Sequence, residues 1–189
     1  MKKVLKALSF LVITTMLFAG CNNNDSSPEK PSEGNDDSAT VGQELSLTDY
    51  RGKVVLIDFW ATWCPPCRKG VPDLIDLKNE YGDQLEVIGI SLDAISRGGA
   101  TANDVVPFME EFGINYPVVK GNQEVTMQYG GVQSIPTSFV IDRRGFVISR
   151  YVGLASHDTY KNDIDKALAG DYNREDYQRA PDFTLPTIK

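Results

Sequence analysis

The chain alternates between short runs that are apolar at nearly every position and longer stretches that are apolar along one helical face. Val54-Val55-Leu56-Ile57-Asp58-Phe59-Trp60 and the segment Leu85 to Ser91 are of the first kind, and their β-branched and aromatic residues predict buried strands. Between them, Arg68 to Tyr81 sets Val71, Leu74, Ile75 and Leu77 on one helical face, with Pro72 inside as a source of a kink. Two buried strands around a helix make a βαβ unit, hence a parallel pair with a right-handed crossover. Further on, Val105, Val106, Phe108, Met109 and Phe112 predict a second helix over about 102–112. Tyr116 to Val119 reads as a short strand and Asn122 to Tyr129 as a third helix. Thr137–Asp142 and Phe146–Val152, joined by Arg143-Arg144-Gly145, predict an antiparallel hairpin, and Ser156 to Ala169 a closing helix ended by Gly170. The fold class is α/β, a central mixed sheet flanked by helices.

The N-terminus departs from this pattern. Lys2, Lys3 and Lys6 precede an uncharged run from Ala7 to Gly20, shorter than the roughly 20 residues a bilayer span needs, so residues 1–20 read as a secretion signal. Phe18-Ala19-Gly20-Cys21 resembles a bacterial lipobox, with Phe18 where Leu is usual; the resemblance implies cleavage before Cys21 and a lipid on its sulfur. Plain secretion and a retained anchor helix are the alternatives. Residues 21–40 are rich in Asn, Asp, Ser, Pro, Glu and Gly without apolar periodicity, a composition that cannot offset the entropy of ordering, and read as a disordered tether. The expected organisation is thus a signal over 1–20, a tether over 21–40, one domain over 41–170 and a tail over 171–189. Removing residues 1–20 takes three of the 19 basic residues and none of the 26 acids, leaving 16 against 26 and a formal charge of −10. Such a surface argues against nucleic acid and anionic lipid as partners, so attachment to a membrane would rest on the lipid anchor.

Cys64-Pro65-Pro66-Cys67 lies where the first strand turns into the first helix. A cysteine at a helix N-terminus faces unsatisfied N–H groups and the positive end of the dipole, which favour thiolate over thiol and mark Cys64 as the nucleophile. Cys67, one turn on, can attack a mixed disulfide formed on Cys64. Pro65 and Pro66 suit a first turn, where a missing N–H costs little. A structural disulfide or half of a zinc site is the alternative, but zinc needs two more Cys or His ligands and only Cys21 and His157 remain. No metal and no cofactor are expected.

Asp58 to Lys69, Asp-Phe-Trp-Ala-Thr-Trp-Cys-Pro-Pro-Cys-Arg-Lys, resembles the active-site signature of the thioredoxin superfamily. Together with Leu45 to Val55 it is most similar to the membrane-tethered TlpA/ResA-type thiol–disulfide oxidoreductases, over about residues 41–169. The resemblance implies a thioredoxin fold with an inserted helix near 102–112. It makes Pro136 of Ser134-Ile135-Pro136-Thr137 a cis proline that presents the Ile135 backbone to the sulfurs for β-augmentation by an incoming peptide. It makes Asp58 the buried acid that exchanges a proton with Cys67, its pKa raised by burial. Trp60 is assigned to the core, while Trp63 and Pro65 shape the substrate face. The family often carries Glu three residues after the second cysteine; here Gly70 stands there and Asp58 acts alone. The implied partners are oxidised extracytoplasmic proteins, apocytochrome c among them, and a membrane electron donor.

Ala180-Pro181-Asp182-Phe183-Thr184-Leu185-Pro186 resembles the segment that normally opens such a domain, yet here it lies near the end of the chain. It reads as a tail folding back to supply a missing edge strand, as the remnant of a second domain, or as disordered. Two other functions bear weighing. A peroxidase of the peroxiredoxin-related branch would need Thr three residues before its cysteine, and Thr62 is two before Cys64; a copper-delivery module would need three residues between its cysteines and a distant His.

Overall fold

The computed structural model describes residues 41–189 apart from 97, 99 and 171, so the expectations for the signal, Cys21 and the tether lie outside the described residues. Seven strands form one sheet in the order β1-β7-β4-β3-β2-β5-β6. They are β1 (Val41–Ser46), β2 (Val54–Trp60), β3 (Leu85–Ser91), β4 (Val118–Lys120), β5 (Thr137–Ile141), β6 (Val147–Val152) and β7 (Thr184–Ile188). The helices are α1 (Pro65–Tyr81), α2 (Val105–Phe112), α3 (Gln123–Gln128) and α4 (His157–Ala169). β2 pairs in parallel with β3 and antiparallel with β5, and β5 with β6 antiparallel, which is the expected βαβ unit plus hairpin.

All seven residues of β2 and all seven of β3 are buried, as continuous apolar runs demand. Alternation then divides the core. Val54, Leu56 and Trp60 pack with Val71, Leu74 and Leu77 of α1 and with Tyr160 and Ile164 of α4. Val55, Ile57 and Phe59 pack on the opposite face with Val125 and Tyr129, and with Phe183 and Leu185 of the tail. Asp58 therefore falls on the same face as Trp60, under α1 and α4.

Boundaries shift for local reasons. The second helix opens with a 3-10 turn over Ala102–Asp104, whose Thr101 cap accepts the Asn103 amide at 3.2 Å. Tyr116 is buried beside β4 rather than paired within it, because Pro117 supplies only its carbonyl, to Gly89 N at 3.0 Å.

The folded part extends past residue 170. β7 lies between β1 and β4, antiparallel to both, so it is an inner strand and β1 is the edge. An inner strand containing a proline lacks a ladder donor. Here the β1 register slips between Val41 and Glu44, opposite Pro186, and the Thr187 hydroxyl donates to the Gln43 carbonyl at 2.6 Å. Tyr129 Oη donates to the Pro181 carbonyl at 2.9 Å, Leu47 N to the Phe183 carbonyl at 3.1 Å, and Arg51 pairs with Asp182 at 3.0 Å. Ala180, Phe183, Leu185 and Ile188 are all buried. At about 1.5–3 kcal/mol for each large side chain, deleting residues 180–189 is expected to lower the Tm by about 10 °C or more. Differential scanning calorimetry of the deletion variant tests this, and an unchanged Tm would show the tail to be dispensable.

Candidate active site

β2 delivers the chain to α1 through a tightly held turn. Asp93, buried just after β3, accepts the Thr62 amide at 3.1 and 3.2 Å, the Thr62 hydroxyl at 2.6 Å and the Ser91 hydroxyl at 2.9 Å. Its charge meets three donors and no cation, the arrangement a buried carboxylate requires. Cys64 N then donates to the Ala61 carbonyl at 3.1 Å, and Cys64 caps α1 in an extended conformation, its sulfur accepting the Cys67 amide at 3.3 Å. Pro65 and Pro66 occupy the first helical positions, where no N–H is missed. Arg68 locks the turn from the other side. Its Nη1 donates to the Thr62 carbonyl at 3.3 Å, and its guanidinium lies 5.0 Å from the ring centres of both Phe108 and Phe112 on α2.

Cys64 and Cys67 are joined as a disulfide, with Cα atoms 5.3 Å apart. The Ile135–Pro136 peptide bond is cis, and the Ile135 carbonyl oxygen stands 3.7 Å from Cys64 Sγ. Pro136 is buried and Ile135 half-buried. Trp63 is exposed, its Nε1 donating to Ser96 Oγ at 2.8 Å and its ring against Gly98, where a Cβ would fall 2.2 Å from the indole. Pro65 and Pro66 are exposed too. Cys64 keeps only 2% of its surface and Cys67 3%, so the disulfide is buried while its sequence neighbours Trp63, Pro65 and Pro66 are exposed.

Asp58 stands beneath the pair. It is 6% exposed, makes no hydrogen bond or ion pair among the described residues, and burial pushes its carboxyl up to about 8. With Cys67, Tyr160 and Pro136 it lines a cavity of about 10 Å³, the room of about one water molecule. A group that titrates near neutrality within one water of a thiol can take or return that thiol's proton. Among the described residues no cluster of three or more His, Cys, Asp or Glu is placed to hold a metal.

Of the candidate residues read from the sequence, Asp58, Cys67 and Pro136 line one cavity and Ile135 stands beside Cys64, Trp63 and Pro65 flank Cys64 along the chain, and Cys21 lies outside the described residues. Three further residues hold the site in place: Asp93, Ser96 and Arg68. Asp93 has a signal, an acid two residues past a mostly apolar strand, at the carboxyl end of the parallel pair, where α/β sheets place their sites. Ser96 acts on Trp63, and Arg68 on Phe108 and Phe112, across long stretches of chain, and those contacts are not visible in the sequence.

A profile described as the AhpC/TSA family matches residues 30–150. The thiol-disulfide oxidoreductase ResA of Geobacillus thermodenitrificans is 36% identical over 124 residues, 66% of this chain and 68% of that one. Among solved structures, a thiol:disulfide interchange protein of the thioredoxin family from Chlorobium tepidum has a TM-score of 0.56 at 29% identity, covering 69% of this chain and 97% of that one. The exposed lipoprotein thioredoxin of Streptococcus pneumoniae has a TM-score of 0.56 at 28% identity, over 63% of this chain and 88% of that one. A cysteine pair bonded at the mouth of a helix, on a sheet of this topology and with this kinship, makes the chain a member of the AhpC/TSA family and a thioredoxin-fold thiol–disulfide oxidoreductase of the ResA type.

Proposed function

We propose that the protein reduces disulfides of exported proteins outside the cytoplasm, and that Cys64 is the attacking sulfur. The observation that carries this reading is the Cys64–Cys67 disulfide at the N-terminus of α1, with the Ile135 carbonyl beside Cys64 Sγ. In the reduced enzyme the Cys64 thiolate attacks one sulfur of a substrate disulfide; a Cys64–substrate bond forms and the other substrate sulfur leaves as thiolate. Cys67 then gives its proton to the Asp58 carboxylate, attacks Cys64 Sγ and releases the second substrate thiolate. Two electrons pass to the substrate, and the chain is left with the bonded pair seen here. Ile135 and Pro136 offer a backbone edge to the substrate peptide, while Trp63 and Pro65 form the exposed rim it meets.

A reductant in an oxidising compartment must be recharged, so a membrane electron donor is part of this reading, with apocytochrome c or another oxidised exported protein downstream. The signal-like residues 1–20 and Cys21, with the kinship to an exposed lipoprotein thioredoxin, favour a lipid anchor at Cys21 and a tether over 22–40. The peroxidase alternative gains nothing from the geometry: the Thr62 hydroxyl is committed to Asp93 at 2.6 Å.

Two experiments test these roles. Cys67→Ala is expected to accumulate a mixed disulfide through Cys64 with a peptide disulfide, seen by mass spectrometry, and to turn over about 100-fold or more slowly for want of an intramolecular thiol. Absence of the adduct, with wild type unable to reduce insulin, would remove the assignment. Asp58 gives a pH signature. Its carboxyl binds protons more tightly folded than unfolded, so the stabilisation it gives is fully present below about pH 4 and is lost as pH rises through about 8. Oxidised Asp58→Asn is therefore expected to match wild type near pH 4 and to exceed it by a few kcal/mol near pH 9 in urea denaturation. A difference that does not vary with pH would contradict a buried, titrating Asp58.

A further inference from the structure

Gly70 sits in the interior of α1, where glycine costs about 1 kcal/mol relative to alanine. The space its side chain would fill is taken: a Cβ at Gly70 would lie 2.8 Å from Leu154 Cδ1. Leu154 is brought there by the turn leaving β6, in which Gly153 adopts a φ of 93° and donates its N–H to the Pro136 carbonyl at 2.8 Å. It is 40% exposed, and it also lines the cavity that holds Asp58 and Cys67. One face of this leucine meets water while the other closes the cavity.

The groups facing Asp58 carry no charge of their own at neutral pH. Cys67 approaches from α1 and Tyr160 from α4, the Tyr160 hydroxyl paired with Ser138 Oγ at 2.8 Å. Tyr116 faces it from the segment before β4, and Gly89 and Ser138 flank it in the sheet. With no cation there, and with the Tyr160 and Ser138 hydroxyls bonded to each other, an ionised Asp58 depends on water for its stabilisation, and Leu154 lies between the cavity and solvent.

We propose that Leu154, seated over Gly70, is the plug that withholds solvent from Asp58, and so a positioning residue that acts on the Cys67 proton through Asp58. The inference rests on the proton role given to Asp58 above. It also accounts for Gly70, since any larger residue there would push the plug outward.

The test follows the Asp58 carboxyl directly in the oxidised full chain, by infrared difference spectroscopy of the protonated C=O band between pH 5 and 10, with Asp58→Asn assigning the band. Leu154→Ala is expected to lower the midpoint by about one pH unit or more, a tenfold weaker hold on the proton, while Leu154→Met keeps it. Gly70→Ala, which crowds Leu154 Cδ1, is expected to move it the same way and decides the matter if Leu154→Ala fails to fold. A midpoint equal to that of wild type in the folded variants would overturn the proposal. The pH profile of mixed-disulfide resolution, measured by stopped flow, is expected to follow the midpoint. If it stayed put while the midpoint moved, the action on Cys67 would be overturned through Asp58's proton role, whereas an unmoved midpoint overturns the plug itself.

Discussion

The turn between β2 and α1 is held by one buried carboxylate. Asp93 receives the amide and the hydroxyl of Thr62, two residues before Cys64, and a third donor from Ser91. Removing any of these donors would leave part of a buried charge unsolvated, a penalty of about 1–3 kcal/mol or more, so the turn has little freedom to relax. The first turn of the helix, its cap sulfur and the angle at which the pair meets the cis-proline loop all inherit that rigidity. Positioning of this kind is what thiol exchange requires, because attack needs the sulfurs in line and at short range.

Two aspartates, one within β2 and one just past β3, show how surroundings divide the work. Asp93 has three donors and serves as a fixed anchor. Asp58, on the adjacent strand, has none among the described residues and is pushed up to about 8 by burial, which leaves its proton free to exchange near neutral pH. The same kind of side chain thus holds geometry in one place and, in the proposed mechanism, moves a proton in the other. Fully buried β2 carries Asp58 and fully buried β3 leads to Asp93, and the layers of α1 and α4 on one face and of α3 and the tail on the other cover these strands.

Much of this arrangement was legible in the residues. Continuous apolar runs identify β2 and β3, because strands covered on both faces have no polar face to show. The cysteine spacing, the strand-to-helix context and Ile135-Pro136 place the candidate site on its own elements. The edge of the sheet was harder. Val-Gly-Gln-Glu-Leu-Ser of β1 has no apolar rhythm, and Pro186 argues against an inner strand until the slipped register and the Thr187 hydroxyl are seen to compensate. The tail showed its resemblance but not its place in the strand order. Leu154 and Gly70 lie on separate elements 84 positions apart, and only packing reveals that one fills the space of the other.

In the mechanism proposed here, the helix mouth favours the Cys64 thiolate while Cys67 stays a thiol until its proton is taken. Alkylation of the reduced protein by iodoacetamide across pH 4–10, with each cysteine followed separately by mass spectrometry, tests it most directly. Cys64 is expected to titrate at least about one pH unit below the value of about 8.5 for a free cysteine, and Cys67 above it. Equal titration of the two sulfurs near 8.5, or faster labelling of Cys67, would contradict the account.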